Sequence, residues 1–145
     1  MTQPYALPAS LSPDLKTVEA YWRSLLRGSA EMPFWDDIDL TTMPSLAGRL
    51  FVVGAFDKPD RYRLEIVGET LARAAGKEIA GLFVDELRLP PPLAFLGSQA
   101  SATVEAAAPT YHEEPGQAGY RRLLLPMWGD GHISMLLGVV DLVEA

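Results

Sequence analysis

The last third of the chain carries two long β-prone runs, "YRRLLLPMW" (Tyr120 to Trp128) and "HISMLLGVVDLV" (His132 to Val143), separated by "GDG". Branched and aromatic side chains suit a pleated, half-buried surface, and a glycine-rich connection suits a tight turn, so the two runs predict an antiparallel hairpin. Successive side chains of a strand point to opposite faces. Leu123, Leu125 and Met127 therefore share a face with Ile133, Met135, Leu137 and Val139, and that face is apolar throughout. The other face holds Arg122, Leu124, Leu136 and Val140 and is also too apolar to lie open to water. A hairpin that is apolar on both sides needs a cover on both. For the mixed face, the expected cover is an amphipathic helix near the N-terminus that carries Trp22.

That helix has a clear start. Ser12 can cap free amides, and Pro13 at the first helical position loses no hydrogen bond. Leu15, Val18, Trp22, Leu25 and Leu26 fall on one helical stripe and Gly28 offers a left-handed end, which predicts a helix over 13–27. "EMPFWDDIDLTTMPSLAG" then reads as a loop followed by a short helix capped by Asp39 or Thr42. "RLFVVGAF" and "RYRLEIV" flank the turn sequence "DKPD" and form a second hairpin. With Phe56 opposite Arg61, the residues Phe51, Val53, Ala55, Tyr62, Leu64 and Ile66 share one face, and Arg63 and Glu65 lie on the other. "ETLARAA" is helical, a further short helical piece falls in "KEIAGLFVDEL", and a longer helix is expected over 93–107, between Pro90–Pro92 and Pro109. "TYHEE" (Thr110 to Glu114) is a strand. The order predicts a five-stranded antiparallel sheet with inserted helices over one face, a two-layer α+β domain. At 145 residues the chain is expected to form a single domain over 12–145, preceded by an irregular arm at 1–11.

Composition narrows the partners. A net charge of -7 would repel a phosphate backbone, so nucleic acid and anionic membrane are not expected. The N-terminus lacks a basic segment followed by an apolar core, and no apolar run approaches the roughly 20 residues that span a bilayer, so a cytoplasmic location is expected. Without cysteine there is no disulfide, no thiolate nucleophile and no cysteinyl flavin link. Gly76 and Gly81 have the spacing that opens a phosphate-binding loop, but Leu82 and Phe83 stand where Lys and Ser or Thr are required. His112, Glu113 and Glu114 are potential metal ligands, yet neighbours on a strand point to opposite faces, and no metal site is assigned. Asp36, Asp37 and Asp39 read as a solvated loop with a helix cap. No nucleophile and base pair appears, so no catalytic residue is assigned.

Four segments, "YWRSLLRGSAEMPFWDDID" (Tyr21 to Asp39), "YRLEIVG" (Tyr62 to Gly68), "AGKEIAGLFVDEL" (Ala75 to Leu87) and "RRLLLPM" (Arg121 to Met127), carry a resemblance in their order. Over about residues 15–142 the chain resembles the PAS superfamily, specifically a family of small, mostly uncharacterised bacterial PAS-like proteins known chiefly from alphaproteobacteria. Glu65 departs from the basic residue that this family often carries near the end of the second strand. The resemblance implies sheet order 2-1-5-4-3 and a non-catalytic role in sensing or protein interaction. It names no ligand or cofactor. Haem is disfavoured because residues 68–108 contain no histidine.

A small apolar ligand between sheet and helices is expected to meet Tyr62, Leu64, Ile66, Phe83, Leu123, Leu125, Met135 and Leu137. N-terminal helices of PAS proteins often pack on a second subunit, so Leu15, Val18, Trp22 and Leu25 are also interface candidates for a homodimer. With no output segment in the chain, signalling would pass to a separate protein. The alternative is a small NTF2-like or cyclase-like α+β enzyme with an acid/base pocket, favoured if His112 and an aspartate face one cavity.

Overall fold

The hairpin at the end of the chain lies in the interior of a five-stranded sheet. In the computed structural model, which describes residues 5–56, 61–115, 119–129 and 131–142, the elements are α1 (Pro13–Ser24), three short 3-10 turns within residues 35–49, β1 (Leu50–Phe56), β2 (Arg61–Val67), α2 (Glu69–Ala75), a 3-10 turn (Val84–Glu86), α3 (Leu96–Ala106), β3 (Thr110–Glu114), β4 (Tyr120–Gly129) and β5 (His132–Leu142). All pairings are antiparallel and the strand order is β2-β1-β5-β4-β3, as expected. No helix among the described residues is long and apolar enough to cross a membrane.

Both faces are covered, but by different elements than the sequence suggested. Leu123↔Val139 and Leu125↔Leu137 pair across β4 and β5 and turn toward α1, where Leu15, Val18 and Trp22 close over them together with Met43 and Leu46. The mixed face, with Leu124, Leu136 and Val140, is covered by α2, α3 and the segment between them through Leu71, Ile79, Leu93 and Leu96. Because both faces are apolar, alternation alone could not assign a cover to each. Trp22 fixes the assignment for α1: it is 1% exposed, and its indole N–H donates to the Pro126 carbonyl at 2.9 Å. Pro126 is tolerated within β4 because β3 pairs only as far as Leu124. Beyond that point the chain before the 3-10 turns takes over the edge, with Trp128 N–H donating to the Pro33 carbonyl.

Two local features adjust the predicted register. Phe56 does oppose Arg61, and Val53 pairs with Leu64, but Val52 pairs with Ile66, which leaves Glu65 as an extra residue on β2. Such a bulge reverses the alternation beyond it. Ile66 therefore leaves the α3 face and lies 49% exposed on the α1 side, beside a groove formed with Leu40, Pro44 and Leu50. Gly68 then lets β2 turn into α2. Its N–H donates to Leu50 O, and a Cβ there would run into the carbonyls of Ala47 and Gly48. α1 ends at Ser24, earlier than the stripe suggested, and α3 begins at Leu96, three residues later than expected.

The sheet edges are occupied. On β2, Leu64 exchanges backbone hydrogen bonds with Gly81 and Leu82. On β3, Tyr111 N–H donates to the Tyr5 carbonyl. This places part of the N-terminal arm against the sheet.

Candidate functional site

An apolar cleft of about 310 Å³ opens between the C-terminal half of α3 and one end of the sheet. Its walls are Ala55 and Phe56 of β1, Tyr62 of β2, Val104 of α3, Trp128 of β4, Gly131 of the turn, and His132 and Ile133 of β5. The bulge between Met127 and Trp128 changes the register of the hairpin here, and Ile133 consequently packs with the α3-side core instead of with Met135. The Tyr62 hydroxyl stands at the rim and accepts from Ser101 Oγ at 3.2 Å. Apolar walls with a few orienting polar groups suit a small ligand.

The residues expected to line one pocket are distributed over both sides of the sheet. Tyr62 lines the cleft, and Leu64 is fully buried in the same α3-side core. Leu123, Leu125 and Leu137 are buried beneath α1, with Met135 packed against that same cluster. Ile66 is carried to that side by the bulge. Phe83 sits outside β2, where the Arg61 guanidinium stacks on it at 3.8 Å and Asp85 holds Arg61 through two hydrogen bonds. The expectation assumed that the inward side of the first hairpin and the uniform side of the second coincide, whereas Val53 pairs with both Leu64 and Leu136 and aligns the first with the mixed side.

Of the interface candidates, Leu15 and Val18 are completely buried and Trp22 nearly so, all against the chain's own sheet. Leu25 is the C-cap of α1 and is half-buried. The stripe therefore offers little free apolar surface to a second subunit.

A second constellation lies between α3 and the strands β3 and β4. His112 and Arg122 are partners in register and share the α3 side with Thr110 and Tyr120. Arg122 is 0% exposed. Its Nε donates to Gln99 Oε1 at 2.7 Å, and its Nη1 donates to the carbonyls of Pro92 and Ala94 at 2.9 Å each, which ties the chain entering α3 to the sheet. Gln99 in turn donates to Thr110 Oγ1, and the Thr103 and Thr110 hydroxyls meet at 2.6 Å. Among the described residues no carboxylate reaches Arg122, and Nη2 has no hydrogen-bond partner. Burial pushes the guanidinium down to about 10, opposed by Tyr120 and Tyr5, so it remains charged at neutral pH. An uncompensated buried charge is costly, by several kcal/mol for an isolated ion even after relaxation.

The His112 ring lies between Tyr5 and Tyr120, at centroid distances of 5.9 and 5.6 Å, and its Nε2 is likewise buried without a partner. Desolvation first and Arg122 second lower its pKa below the ordinary 6.5, with Glu114 opposing. The unfolded chain therefore takes up this proton at higher pH than the folded one, and stability falls as pH drops below about 6.5. Urea unfolding at pH 7.5 and pH 5 should show a loss that is smaller in His112→Phe; an equal loss in both proteins would contradict this origin.

The sequence signal for this cluster was the arginine at an inward position of an apolar run. The cleft had no comparable signal, since Val104, Trp128 and Ile133 come from segments that only the folded chain brings together. No family model matches the chain, and neither a curated protein nor a solved structure is significantly similar to it.

Proposed function

We propose that the chain is a non-catalytic, PAS-like sensory or interaction module in which a small apolar ligand enters the cleft between α3 and the sheet. The observation that carries this is the cleft itself, a largely apolar opening of about 310 Å³ bounded by one helix and the ends of four strands. The strand order supports it, being the order that the PAS resemblance calls for. Val104 and Ser101 couple the cleft to α3, so an occupant that favours one position of that helix would shift the population and be read by a separate protein. The alternative, an NTF2-like or cyclase-like enzyme, called for His112 and an aspartate in one cavity. The carboxylate that acts on His112 is Glu114 of the same strand, which gives that alternative less support.

Native mass spectrometry and an absorbance spectrum of protein purified from its own host test the proposal. A bound small-molecule mass is expected in the wild type and is expected to be lost in Val104→Trp, which fills the cleft from its helix wall. Ligand-free wild-type protein, or a mass retained in a folded Val104→Trp, would contradict it. Haem or flavin absorption would replace the apolar ligand with a cofactor.

A further inference from the structure

Arg122 and His112 present an arrangement that its structural duties do not use up. Three donor contacts of Arg122 pin the entry of α3, yet Nη2 is left open in a side chain that is 0% exposed, and the buried Nε2 of the adjacent His112 is open as well. The two residues are cross-strand partners on the same face, a placement that brings side chains within bridging distance of one small group. A guanidinium matches two oxygens held in a plane, and a carboxylate supplies them.

The surroundings limit the charge and shape of such a group. Glu114 acts on His112, Glu105 lines the neighbouring groove, and the whole chain is acidic, so a dianion would meet repulsion that a single negative charge largely avoids. That groove, of about 720 Å³, lies between α3 and residues 5–7, and it shares Tyr5 and Thr110 with the cluster. It is large enough for the body of a small molecule. Tyr5 stands between the groove, which it lines, and the His112 ring, 5.9 Å from its own. Its carbonyl accepts from Tyr111 N–H at 2.9 Å and its hydroxyl donates to Ser98 Oγ at 2.7 Å, but its φ of 68 is one that a residue with a side chain adopts only under strain.

We propose that this cluster binds a small monocarboxylate, with one oxygen taking Arg122 Nη2, the other taking a hydrogen from His112 Nε2, and the body lying in the groove once Tyr5 is displaced. The site is separate from the apolar cleft, with which its groove shares no lining residue, and it stands whether or not that cleft is occupied.

The test is a titration of the full chain with sodium acetate, butyrate and benzoate, with sodium chloride at matched ionic strength as the control. It is followed by 15N–1H spectra that include the Arg122 Nε–H and the Tyr5 backbone amide. The expected result is a saturable shift of both signals by a carboxylate and not by chloride. Binding should weaken about tenfold in His112→Phe, as the loss of one hydrogen bond to a charged group predicts, and should tighten in Tyr5→Ala. Three results would overturn the proposal: no movement of Arg122 Nε–H in either the wild type or Tyr5→Ala, an equal response to chloride, or undiminished binding in a folded His112→Phe. Inorganic phosphate binding as tightly as the best carboxylate would overturn the assignment to a single negative charge.

Discussion

Replacing Trp22 with alanine should lower folding stability by about 3–5 kcal/mol, the range for deleting a fully buried aromatic side chain. The indole lies under α1 against the sheet and is the largest of the fully buried side chains. Its loss leaves a void among Met43, Leu125 and Leu137 and deprives the Pro126 carbonyl of its donor. Trp22→Phe should lose less, about 1–3 kcal/mol, because most of the ring volume is kept while the hydrogen bond to Pro126 goes together with one ring of the indole. Urea denaturation of the three proteins measures both steps. Since the void opens on the face opposite α3, ligand binding in the cleft should be unchanged wherever Trp22→Ala is still folded. A loss below about 1 kcal/mol would mean that α1 is not anchored as described.

The second large effect is expected at Gly138, in the middle of β5. Phe51 of β1 is its partner in register, and the Phe51 ring lies flat over the glycine, so that a Cβ built there would sit well inside van der Waals contact with the ring. Phe51 is fully buried on the α3 side and has little room to move. Gly138→Val should therefore cost about 3 kcal/mol or more, the upper end of overpacking penalties, as the ring is driven toward α3. Thermal unfolding monitored by circular dichroism reads the loss, and Gly138→Val with Phe51→Ala should recover part of it. A variant as stable as the wild type would show that the ring does not occupy this position.

Strand positions were legible in the sequence because period-two patterns and short turns act locally. Thr110 to Glu114 forms as read, Phe56 opposes Arg61, and Asp39 caps a short 3-10 turn by accepting from Thr41 N–H. The strand order 2-1-5-4-3 came from the resemblance rather than from periodicity. What was not legible depended on single-residue insertions and on long-range choices. Glu65 carries no glycine or proline to announce a bulge, yet it moves Ile66 to the opposite face. The two covers were exchanged because Leu125 and Leu124 are equally apolar, and only the seat of Trp22 on Pro126 decides where α1 goes. The candidate pocket inherited that error, so Tyr62 stands in the cleft while Leu123, Leu125 and Leu137 lie behind the sheet. Arg122 was visible as a cation in an apolar strand, but its partners Gln99, Pro92 and Ala94 are distant in sequence and could not be assigned.

The role proposed for the cleft is tested most directly by titrating indole, an apolar ring with one polar group, into the full chain carrying 13C-labelled methyl groups. The Ile133 and Val104 methyl signals should shift saturably, while those of Val18 and Leu125 beneath α1 stay in place, and Val104→Trp should abolish the response at Ile133. An unmoved Ile133 signal, or equal shifts on both sides of the sheet, would contradict a ligand site between α3 and the sheet.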